Sequence, residues 1–214
     1  MVVAVISGIF PGSPVLLRVR VHLVGSAPEV WRLIEVDGDV RLDEFHEVLQ
    51  IVMGWQDCHL HDFEDTDPFV RFSPKVGSEP RRWGPGFLGE EDEDILAEED
   101  FTLRQVLSEA DPLFYTYDFG DRWVHSIALI ETILKSPSDP SALVVRGEGR
   151  CPLEDSGGID GYQELLTVLK DTSHEEHTEL ADWVTGMTGS SAASYDPTVF
   201  DVDDANEKLR VLTG

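Results

Sequence analysis

Strict alternation of apolar and polar residues near the start of the chain is the feature that most constrains its fold. Residues 15–23 (VLLRVRVHL) and residues 29–36 (EVWRLIEV) both follow this pattern. Because successive side chains of a strand point to opposite faces of a sheet, each run predicts a strand with one buried face. The residues between them, Gly25-Ser26-Ala27-Pro28, are typical of a turn, so the two runs predict an antiparallel hairpin.

The rest of the chain mixes short strand patterns with separate helical ones. Apolar residues spaced three or four apart predict a helix over residues 41–53, with Gly54 as its C-terminal cap. Further helices are expected over 102–110, 162–170, 173–184 (with Ser173 and Glu176 as a capping box) and 203–212. Strands are expected over 1–10, 59–63, 69–72, 113–117, 122–133 and 142–146. Hairpins and separated helices predict an α+β fold, with antiparallel hairpins forming a mixed sheet packed against a few helices.

Residues 73–100 have a different composition from the segments around them. They are rich in Pro and Gly, then acidic through 89–94 (GEEDED), and end in Glu98-Glu99-Asp100. This composition predicts a mobile, solvated excursion within one domain that spans residues 1–214. Weak calcium binding is the alternative for the acidic run, although no EF-hand spacing is present.

Charge and cysteine usage limit the classes of function. A net charge of −26 argues against direct nucleic-acid binding, which requires clustered Lys and Arg, and favours a cation or a basic protein partner. Two cysteines outside any CxxC pattern indicate neither a disulfide framework nor a cysteine zinc site. The apolar start ends at Pro11-Gly12, too early for a membrane span, and lacks a basic leader. A cytoplasmic protein with no membrane contact is therefore expected.

The first candidate site is the pair His59 and His61 in the segment GWQDCHLHDF. If both lie on one strand, they point to the same face and can chelate one divalent metal ion. His46 lies on the apolar face of the preceding predicted helix and can approach them. The alternative is that all three are buried structural histidines, hydrogen-bonded to backbone or to Asp57 and Asp62.

The second candidate is the segment YDFGDRWVH, residues 117–125. The spacing predicts a hairpin turn at 118–121, with Asp121, Trp123 and His125 on one face of the outgoing strand. A carboxylate and an imidazole on one face suit a metal site or acid–base chemistry, but they equally suit a hairpin held by aspartate caps. A metal site would draw on His59, His61, Asp121 and His125.

The third candidate is the loop RCPLEDSGG, residues 150–158. Glu154 and Asp155 precede two glycines, so two carboxylates can lie beside a tight backbone turn and ligate a hard cation. An acidic loop that simply leads into a helix is the alternative. With Asp118, these residues complete a candidate functional cluster: His59, His61, Asp118, Asp121, Trp123, His125, Glu154 and Asp155.

These segments together resemble the plasmid PRiA ORF-three-like family, which includes insertion-element passenger proteins called TnpR. The resemblance rests on Trp31-Arg32, on 42–63 with Gln50 and Met53-Gly54-Trp55, on 117–125, on Glu154-Asp155, Gly157-Gly158 and Gly161-Tyr162, and on Asp196-Pro197, Phe200-Asp201 and Asn206. One departure is that Ser156 stands where members usually carry cysteine in Pro-Pro-Glu-Asp-Cys-Gly-Gly. Any role that depends on a thiol at that position is therefore absent here.

The resemblance implies residence on plasmids or mobile elements and no particular reaction. No serine-recombinase pattern or basic DNA-binding segment accompanies it in this sequence. Two functions remain open. The first is an accessory or binding protein whose acidic surface meets a basic partner or a cation. The alternative is a metal-dependent hydrolase or nuclease-like enzyme that uses the HLH, YDFGD and EDSGG segments.

Overall fold

The computed structural model of the protein describes residues 12–70, 80–89, 92–107 and 111–213. These residues form one eight-stranded sheet with α-helices packed against it, which confirms the predicted α+β class. The strand expected over residues 1–10 lies outside the described residues, and so do residues 71–72 of the strand expected over 69–72. Residues 69–70, which are described, form a turn rather than a strand.

The hairpin near the start of the chain is confirmed. Strand β1 (Val15–Leu23) pairs antiparallel with β2 (Trp31–Asp37), and Val19 lies opposite Ile34. Val19 and Ile34 are fully buried, whereas Arg18 is only partly covered and pairs with Glu35 on the outer face. The alternation of apolar and polar residues therefore sets which face of the hairpin is buried.

The remaining strands extend this hairpin in both directions. They are β3 (His61–Glu64), β4 (Arg82–Gly84), β5 (Ile95–Ala97), β6 (Leu113–Tyr117), β7 (Trp123–Leu134) and β8 (Ala142–Glu148). The sheet order is β5-β4-β3-β6-β7-β1-β2-β8. Only the β4–β5 pair is parallel among the pairs of the described strands, so the sheet is mixed, as predicted.

The helices are α1 (Leu42–Met53), α2 (Leu103–Val106), α3 (Gly158–Lys170), α4 (His177–Thr188) and α5 (Val202–Thr213). Helix α1 buries its predicted stripe and ends at Gly54, whose φ of 88° is the left-handed conformation that glycine adopts most easily. Helix α5 packs on β8, where the Asn206 side chain accepts a hydrogen bond from Val144 N and donates one to Val144 O.

Two helix starts differ from the sequence-based expectation. Helix α3 begins at Gly158 rather than Tyr162, because Gly157 adopts φ 83° and caps the helix four residues earlier. Helix α4 begins at His177 rather than Ser173. The Ser173 hydroxyl donates to Asp171 Oδ1 and closes a local turn, so it does not cap the helix.

The expected excursion over 73–100 supplies two short strands to the sheet within its described part. Strands β4 and β5 both lie within it, and the short 3-10 helix Glu98–Asp100 follows β5 directly. Trp83 of β4 is fully buried and contacts Phe101. None of the helices in the described ranges combines the length and the apolar composition needed to cross a bilayer.

Candidate functional site

Three connecting segments meet at one end of the central strands. They are residues 55–60, which follow α1, residues 118–122 between β6 and β7, and residues 151–157 before α3. The ring of Trp55 anchors the first segment, because its centroid lies 5.3 Å from Tyr117 and 5.6 Å from Trp123. Both partners are fully buried, so this segment is fixed over the core at its first residue.

Helix α1 also holds the first segment through polar side chains. His46 Nε2 lies 2.9 Å from Asp57 Oδ1, and the Asp57 backbone N–H donates to Gln50 Oε1 at 2.8 Å. The next contact joins two segments, since Gln56 N–H donates to Glu154 Oε1 at 2.7 Å. The loop that carries His59 is therefore tied both to the helix before it and to the third segment.

Glycines allow the third segment to approach the β6–β7 turn closely. Asp121 Oδ2 accepts a hydrogen bond from Gly157 N–H at 2.9 Å. A Cβ atom at Gly158 would lie 2.5 Å from Asp121 O, and one at Gly161 would lie 2.3 Å from Ser156 O. Only glycine fits at these two positions, so the glycines after Glu154-Asp155 serve to dock this loop against the turn.

At the meeting point, one imidazole nitrogen faces three carboxylates. His59 Nε2 lies 3.3 Å from Asp155 Oδ1, 3.5 Å from Asp118 Oδ2 and 3.8 Å from Glu154 Oε2. We call these residues the imidazole–carboxylate cluster: His59, Asp118, Glu154 and Asp155. Each of the three predicted segments contributes at least one member.

Two atoms of this cluster are buried without a hydrogen-bond partner among the described residues. They are His59 Nε2 and Glu154 Oε2. Glu154 is 4% exposed, so its second oxygen loses hydration without gaining a protein donor. A buried polar atom costs about 1–3 kcal/mol unless water or a ligand pairs with it, so both atoms are available to a ligand.

Two groups of three donor atoms are close enough together that each could hold a metal ion. Ligand atoms bonded to one ion at about 2.0–2.2 Å lie roughly 3 to 4 Å from one another. In the described ranges, the donors of His59, Asp118 and Asp155 fall within 4.8 Å of one another, as do those of Cys58, His59 and Glu154. His59 belongs to both groups and is the centre of the cluster.

Tyr117 fixes the orientation of the buried glutamate. Its hydroxyl donates to Glu154 Oε1 at 3.1 Å and accepts from Cys58 N–H at 3.1 Å. Burial raises the pKa of Tyr117 above its ordinary value, so the phenol stays protonated and keeps its donor role. With Oε1 occupied by Tyr117 and Gln56, Oε2 is the oxygen left to bind a ligand.

An aspartate with a left-handed backbone lies in each of the three segments. Asp57, Asp118 and Asp155 have φ values of 52°, 57° and 56°. Aspartate tolerates this region better than most side chains, but the conformation still costs free energy relative to glycine. Asp118 caps its own turn, because its Oδ1 accepts from Gly120 N–H at 2.8 Å and leaves Oδ2 towards His59.

His61 lies outside the cluster, in a different environment from His59. Strand β3 begins at His61, where pairing with Tyr117 starts, so His59 precedes the ladder and does not share its face. His61 Nε2 lies 3.0 Å from Glu98 Oε2, and its ring stacks on His46 with centroids 3.5 Å apart. Burial and the neighbouring His61 lower the pKa of His46 to about 4.

His125 and Trp123 lie in the core beneath the cluster. Both are fully buried on β7, and His125 Nδ1 lies 3.3 Å from the Tyr115 carbonyl oxygen. Burial lowers the pKa of His125 to about 4, so the ring is neutral at neutral pH. Asp121 lies in the turn and binds Gly157 N–H instead of sharing a face with these two residues.

The structure therefore divides the residues predicted from the sequence. It gathers His59, Asp118, Glu154 and Asp155, places Asp121 beside them as a loop anchor, and leaves His61, Trp123 and His125 in other packing environments. Sequence reasoning missed Tyr117, Gln56 and Cys58. The first had a readable signal: Tyr115 and Tyr117 alternate on a buried strand, where each hydroxyl needs a polar partner.

The cluster opens towards solvent through Asp155. This side chain is 68% exposed and lines a cavity of about 370 Å³ between α3 and α4. Glu164, Glu176 and Glu179 line the same cavity, together with the apolar face of Trp183. A ligand bound at the cluster is therefore reachable from outside on the Asp155 side, while Glu154 closes the opposite side.

Comparison with known proteins identifies relatives over nearly the whole chain. A family model described as "Plasmid pRiA4b ORF-3-like protein" matches residues 15–204, in agreement with the resemblance carried by the motifs. The uncharacterized protein y4hQ of Sinorhizobium fredii is 35% identical over 179 residues, which cover 84% of this chain and 86% of the relative. The crystal structure of MM3350, a protein of unknown function from Methanosarcina mazei Go1, matches with a TM-score of 0.75 and 28% identity over 90% of this chain and 98% of its own.

Proposed function

The chain belongs to the plasmid pRiA4b ORF-3-like family, and we propose that it is a divalent-metal-dependent hydrolase whose metal ligands are His59, Asp118 and Asp155, with Glu154 beside them. One observation carries the proposal. A buried imidazole nitrogen lies 3.3–3.8 Å from three carboxylates and forms no hydrogen bond with any of them in the described structure. Donors held apart in this way suit a shared ion better than mutual hydrogen bonding.

The donor set favours a transition metal over calcium or magnesium. Imidazole nitrogen is a ligand for Zn²⁺, Fe²⁺ and Ni²⁺, whereas Ca²⁺ and Mg²⁺ prefer oxygen alone. Mn²⁺ also accepts a site made of carboxylates with one imidazole. The Cys58 sulfur, which lies 3.7 Å from the Tyr117 hydroxyl, is grouped with His59 and Glu154 and would favour Zn²⁺ if it joined the ligands.

Hydrolysis is the chemistry that this arrangement supports. A catalytic metal site has protein ligands on one side and an open position for water on the other. Glu154 is buried and Asp155 is exposed, so the cluster has a closed side and an open side. A bound ion would supply Lewis acidity that activates water at the open side, and Glu154 Oε2, which has no hydrogen-bond partner in the described structure, would be the nearby proton acceptor.

Metal content tests the proposal directly. Untagged protein should bind about one equivalent of Zn²⁺ or Mn²⁺ after equilibrium dialysis, measured by elemental analysis, and Mg²⁺ or Ca²⁺ should not displace it. The variant His59→Ala and the variant Asp155→Asn should each lose the metal. His177→Ala is the matched control, because it removes an imidazole from α4, outside the cluster. A wild-type protein that binds no metal under these conditions contradicts the proposal.

Activity is the second step of the same test. The metal-loaded protein should hydrolyse activated carboxylic or phosphoric esters, and His59→Ala should abolish that hydrolysis. The same variant with full metal content and undiminished hydrolysis would show that the metal is bound elsewhere. A wild-type protein that binds metal stoichiometrically but hydrolyses no ester in such a panel would retain the metal site and exclude this reaction class.

The acidic cavity supports a second candidate function, an accessory binding protein for a basic partner. Asp155, Glu164, Glu176 and Glu179 line one cavity without any Lys or Arg among its lining residues. A protein partner with exposed lysine or arginine would be attracted there, and Trp183 offers an aromatic face for a cation. On this hypothesis the chain acts in the cytoplasm in the service of a plasmid or mobile element and does not bind nucleic acid directly.

Binding of short basic peptides separates the two functions. An oligo-arginine peptide should bind with an affinity that falls steeply with salt, and Glu164→Gln combined with Glu179→Gln should weaken it. Glu207→Gln on α5 is the control for charge alone, because Glu207 does not line this cavity. If Glu207→Gln lowers the affinity for the peptide as much as the cavity variant does, binding depends only on net charge, which argues against a specific partner site in the cavity.

A further inference from the structure

A second cavity, of about 270 Å³, lies between α1, the loop before α3 and the start of α5. Its lining includes the cationic side chains Arg32, Arg150 and Lys208. Three segments that the sequence singled out and that the imidazole–carboxylate cluster does not use meet here: Trp31-Arg32, Asp196-Pro197 and Phe200-Asp201. We call this cavity the arginine pocket.

Arg32 is buried in the wall of the arginine pocket and held rigidly. It is 1% exposed, and its guanidinium lies over the Phe200 ring at 3.5 Å from the centroid. Nε donates to Val52 O at 2.7 Å, and Nη1 donates to the carbonyls of Trp31 and Glu148, both at 2.8 Å. Nη2 has no hydrogen bond within the described ranges, so its N–H groups remain available to donate to a ligand.

The charge of Arg32 has no counterion in the described structure. Its hydrogen bonds all go to neutral carbonyl groups, and burial lowers its pKa to about 10. The guanidinium therefore stays cationic at neutral pH in a place where an isolated charge is unfavourable. A chain with 42 acidic residues and only 16 basic ones nevertheless leaves this buried cation without a carboxylate.

Arg150 adds a second guanidinium to the same pocket. Its Nε donates to the Asp196 carbonyl at 3.1 Å, and its guanidinium lies 5.2 Å from the Tyr195 ring centroid. The Asp196 carboxylate instead accepts hydrogen bonds from Thr198 N–H and the Thr198 hydroxyl. Arg150 is thus positioned by a carbonyl and an aromatic face, with donors left over.

The carboxylates that line the pocket have hydrogen-bond partners other than the arginines, although Glu154 Oε2 has none in the described structure. Glu154 Oε1 accepts from Tyr117 and Gln56, and Asp204 pairs with Lys208 at 2.7 Å. Asp201 Oδ1 accepts from the backbone N–H groups of Asp203 and Asp204, at the start of α5. Lys208 is paired with Asp204, so Arg32 and Arg150 are the pocket cations that donate no hydrogen bond to a carboxylate in the described structure.

We propose that the arginine pocket binds a small oxyanion, the carboxylate or phosphate group of a small molecule, through Arg32 Nη2 and Arg150. A guanidinium fork matches the oxygens of either group, and an anion at this point would neutralise a buried cation. A volume of about 270 Å³ admits a group of this size but not a folded partner. This site borders the proposed metal site, because Glu154 lines the pocket and belongs to the imidazole–carboxylate cluster, but neither arginine is a member of that cluster.

Titration calorimetry with inorganic phosphate and with acetate tests the proposal, at constant ionic strength set by chloride. The wild-type protein should bind at least one of the two with a dissociation constant of about 1 mM or tighter. The identity of the bound probe then distinguishes a tetrahedral from a planar ligand. Arg150→Gln should weaken binding about tenfold, as expected for the loss of a charge-assisted hydrogen bond, and Arg32→Lys should weaken it further.

Two controls keep the test decisive. Arg41→Gln removes an arginine that pairs with Asp43 at the surface, and it should leave binding unchanged. His59→Ala should also bind the anion like the wild type, which separates this site from the metal site. If Arg32→Lys does not fold, Arg150→Gln decides the outcome. Binding of neither probe at about 10 mM, or an Arg150→Gln protein that binds like the wild type, overturns the proposal.

Discussion

Two histidines separated by one residue, His59 and His61, lie in opposite physical situations. The His61 ring is buried between His46 and the carboxylate of Glu98, and its nitrogen has a partner at 3.0 Å. The His59 nitrogen is also buried, but it faces three carboxylates at 3.3 Å or more and bonds to none of them. The polar partner of the His61 nitrogen lies within the protein, whereas the His59 nitrogen has no hydrogen-bond partner in the described structure and would need a bound ligand.

This difference shows how to separate a structural histidine from a ligand when the sequence offers both. The His61 nitrogen has a partner within the protein, and removal of His61 would leave Glu98 buried without that partner. The His59 nitrogen has none in the described structure, so removal of His59 costs no hydrogen bond. The same substitution should therefore destabilise the metal-free protein much more at His61 than at His59.

Stability of the metal-free protein should show the largest contrast. We expect His61→Ala to lower the free energy of unfolding by about 3 kcal/mol, because Glu98 is then buried without its partner. His59→Ala should change it by less than about 0.5 kcal/mol, since no hydrogen bond is lost. Urea denaturation followed by tryptophan fluorescence measures both. Equal losses in the two variants would mean that His59 is also structural.

Metal should stabilise the protein through His59 and not through His61. At a free metal concentration about 100 times the dissociation constant, we expect the wild type to gain about 2.7 kcal/mol. His59→Ala should gain nothing, whereas Glu98→Gln, which perturbs the His61 environment, should gain as much as the wild type. Thermal unfolding with and without Zn²⁺ or Mn²⁺ provides the measurement. A gain that survives His59→Ala would place the metal elsewhere.

Acid should destabilise the protein through its buried neutral histidines. The pKa of His125 is about 4 in the folded protein, against 6.5 for a solvated histidine, so the unfolded chain takes up the proton first as the pH falls. Stability is therefore full above pH 6.5 and decreases as the pH falls towards 4, by about 2 kcal/mol at pH 5 from His125 alone. His46 shifts in the same direction and adds to the slope.

The variant His125→Asn should flatten this pH dependence, even if it lowers stability at pH 7. His177→Asn on α4 is the control and should keep the wild-type slope. The comparison uses urea midpoints at pH 7, 6 and 5. If His125→Asn keeps the full slope, the pH dependence comes from other groups, His46 first among them.

The smallest expected effect concerns the anchor of the third segment. Asp121→Ala removes the hydrogen bond to Gly157 N–H and should lower stability by about 1 kcal/mol. Because Asp155 lies two residues before Gly157, metal affinity should also fall, about fivefold if the same energy is lost from binding. Asp139→Ala, in the turn before β8, is the control. Unchanged affinity in Asp121→Ala would show that the loop holds Asp155 without this anchor.

The sequence predicts the β1–β2 and β6–β7 hairpins well because their signals are local. Alternation of apolar and polar residues defines the buried face of β1–β2, and turn residues between the runs define the pairing of both hairpins. The end of helix α1 was predicted for the same reason, since Gly54 is a local signal for a left-handed cap.

The partners of the histidines could not be predicted from the sequence, because they come from distant segments. Glu98 is 37 residues from His61 and lies in a stretch whose composition resembles solvated loop. His59 and His61 fit one strand by spacing, but the ladder starts at His61, and this depends on pairing with Tyr117. The sequence does not specify whether the three motifs lie close together, because that depends on the order of the strands in the sheet.

The three left-handed aspartates have a consequence for how far this protein can be stabilised. Glycine adopts this backbone conformation more easily than aspartate, but at Asp57 and Asp118 it would also remove side-chain hydrogen bonds that hold the loops. The Asp155 side chain has no hydrogen bond in the described structure, so a search that selects only for thermal resistance would favour glycine there. That change would delete a cluster carboxylate, so resistance to heat and completeness of the cluster are opposed at Asp155.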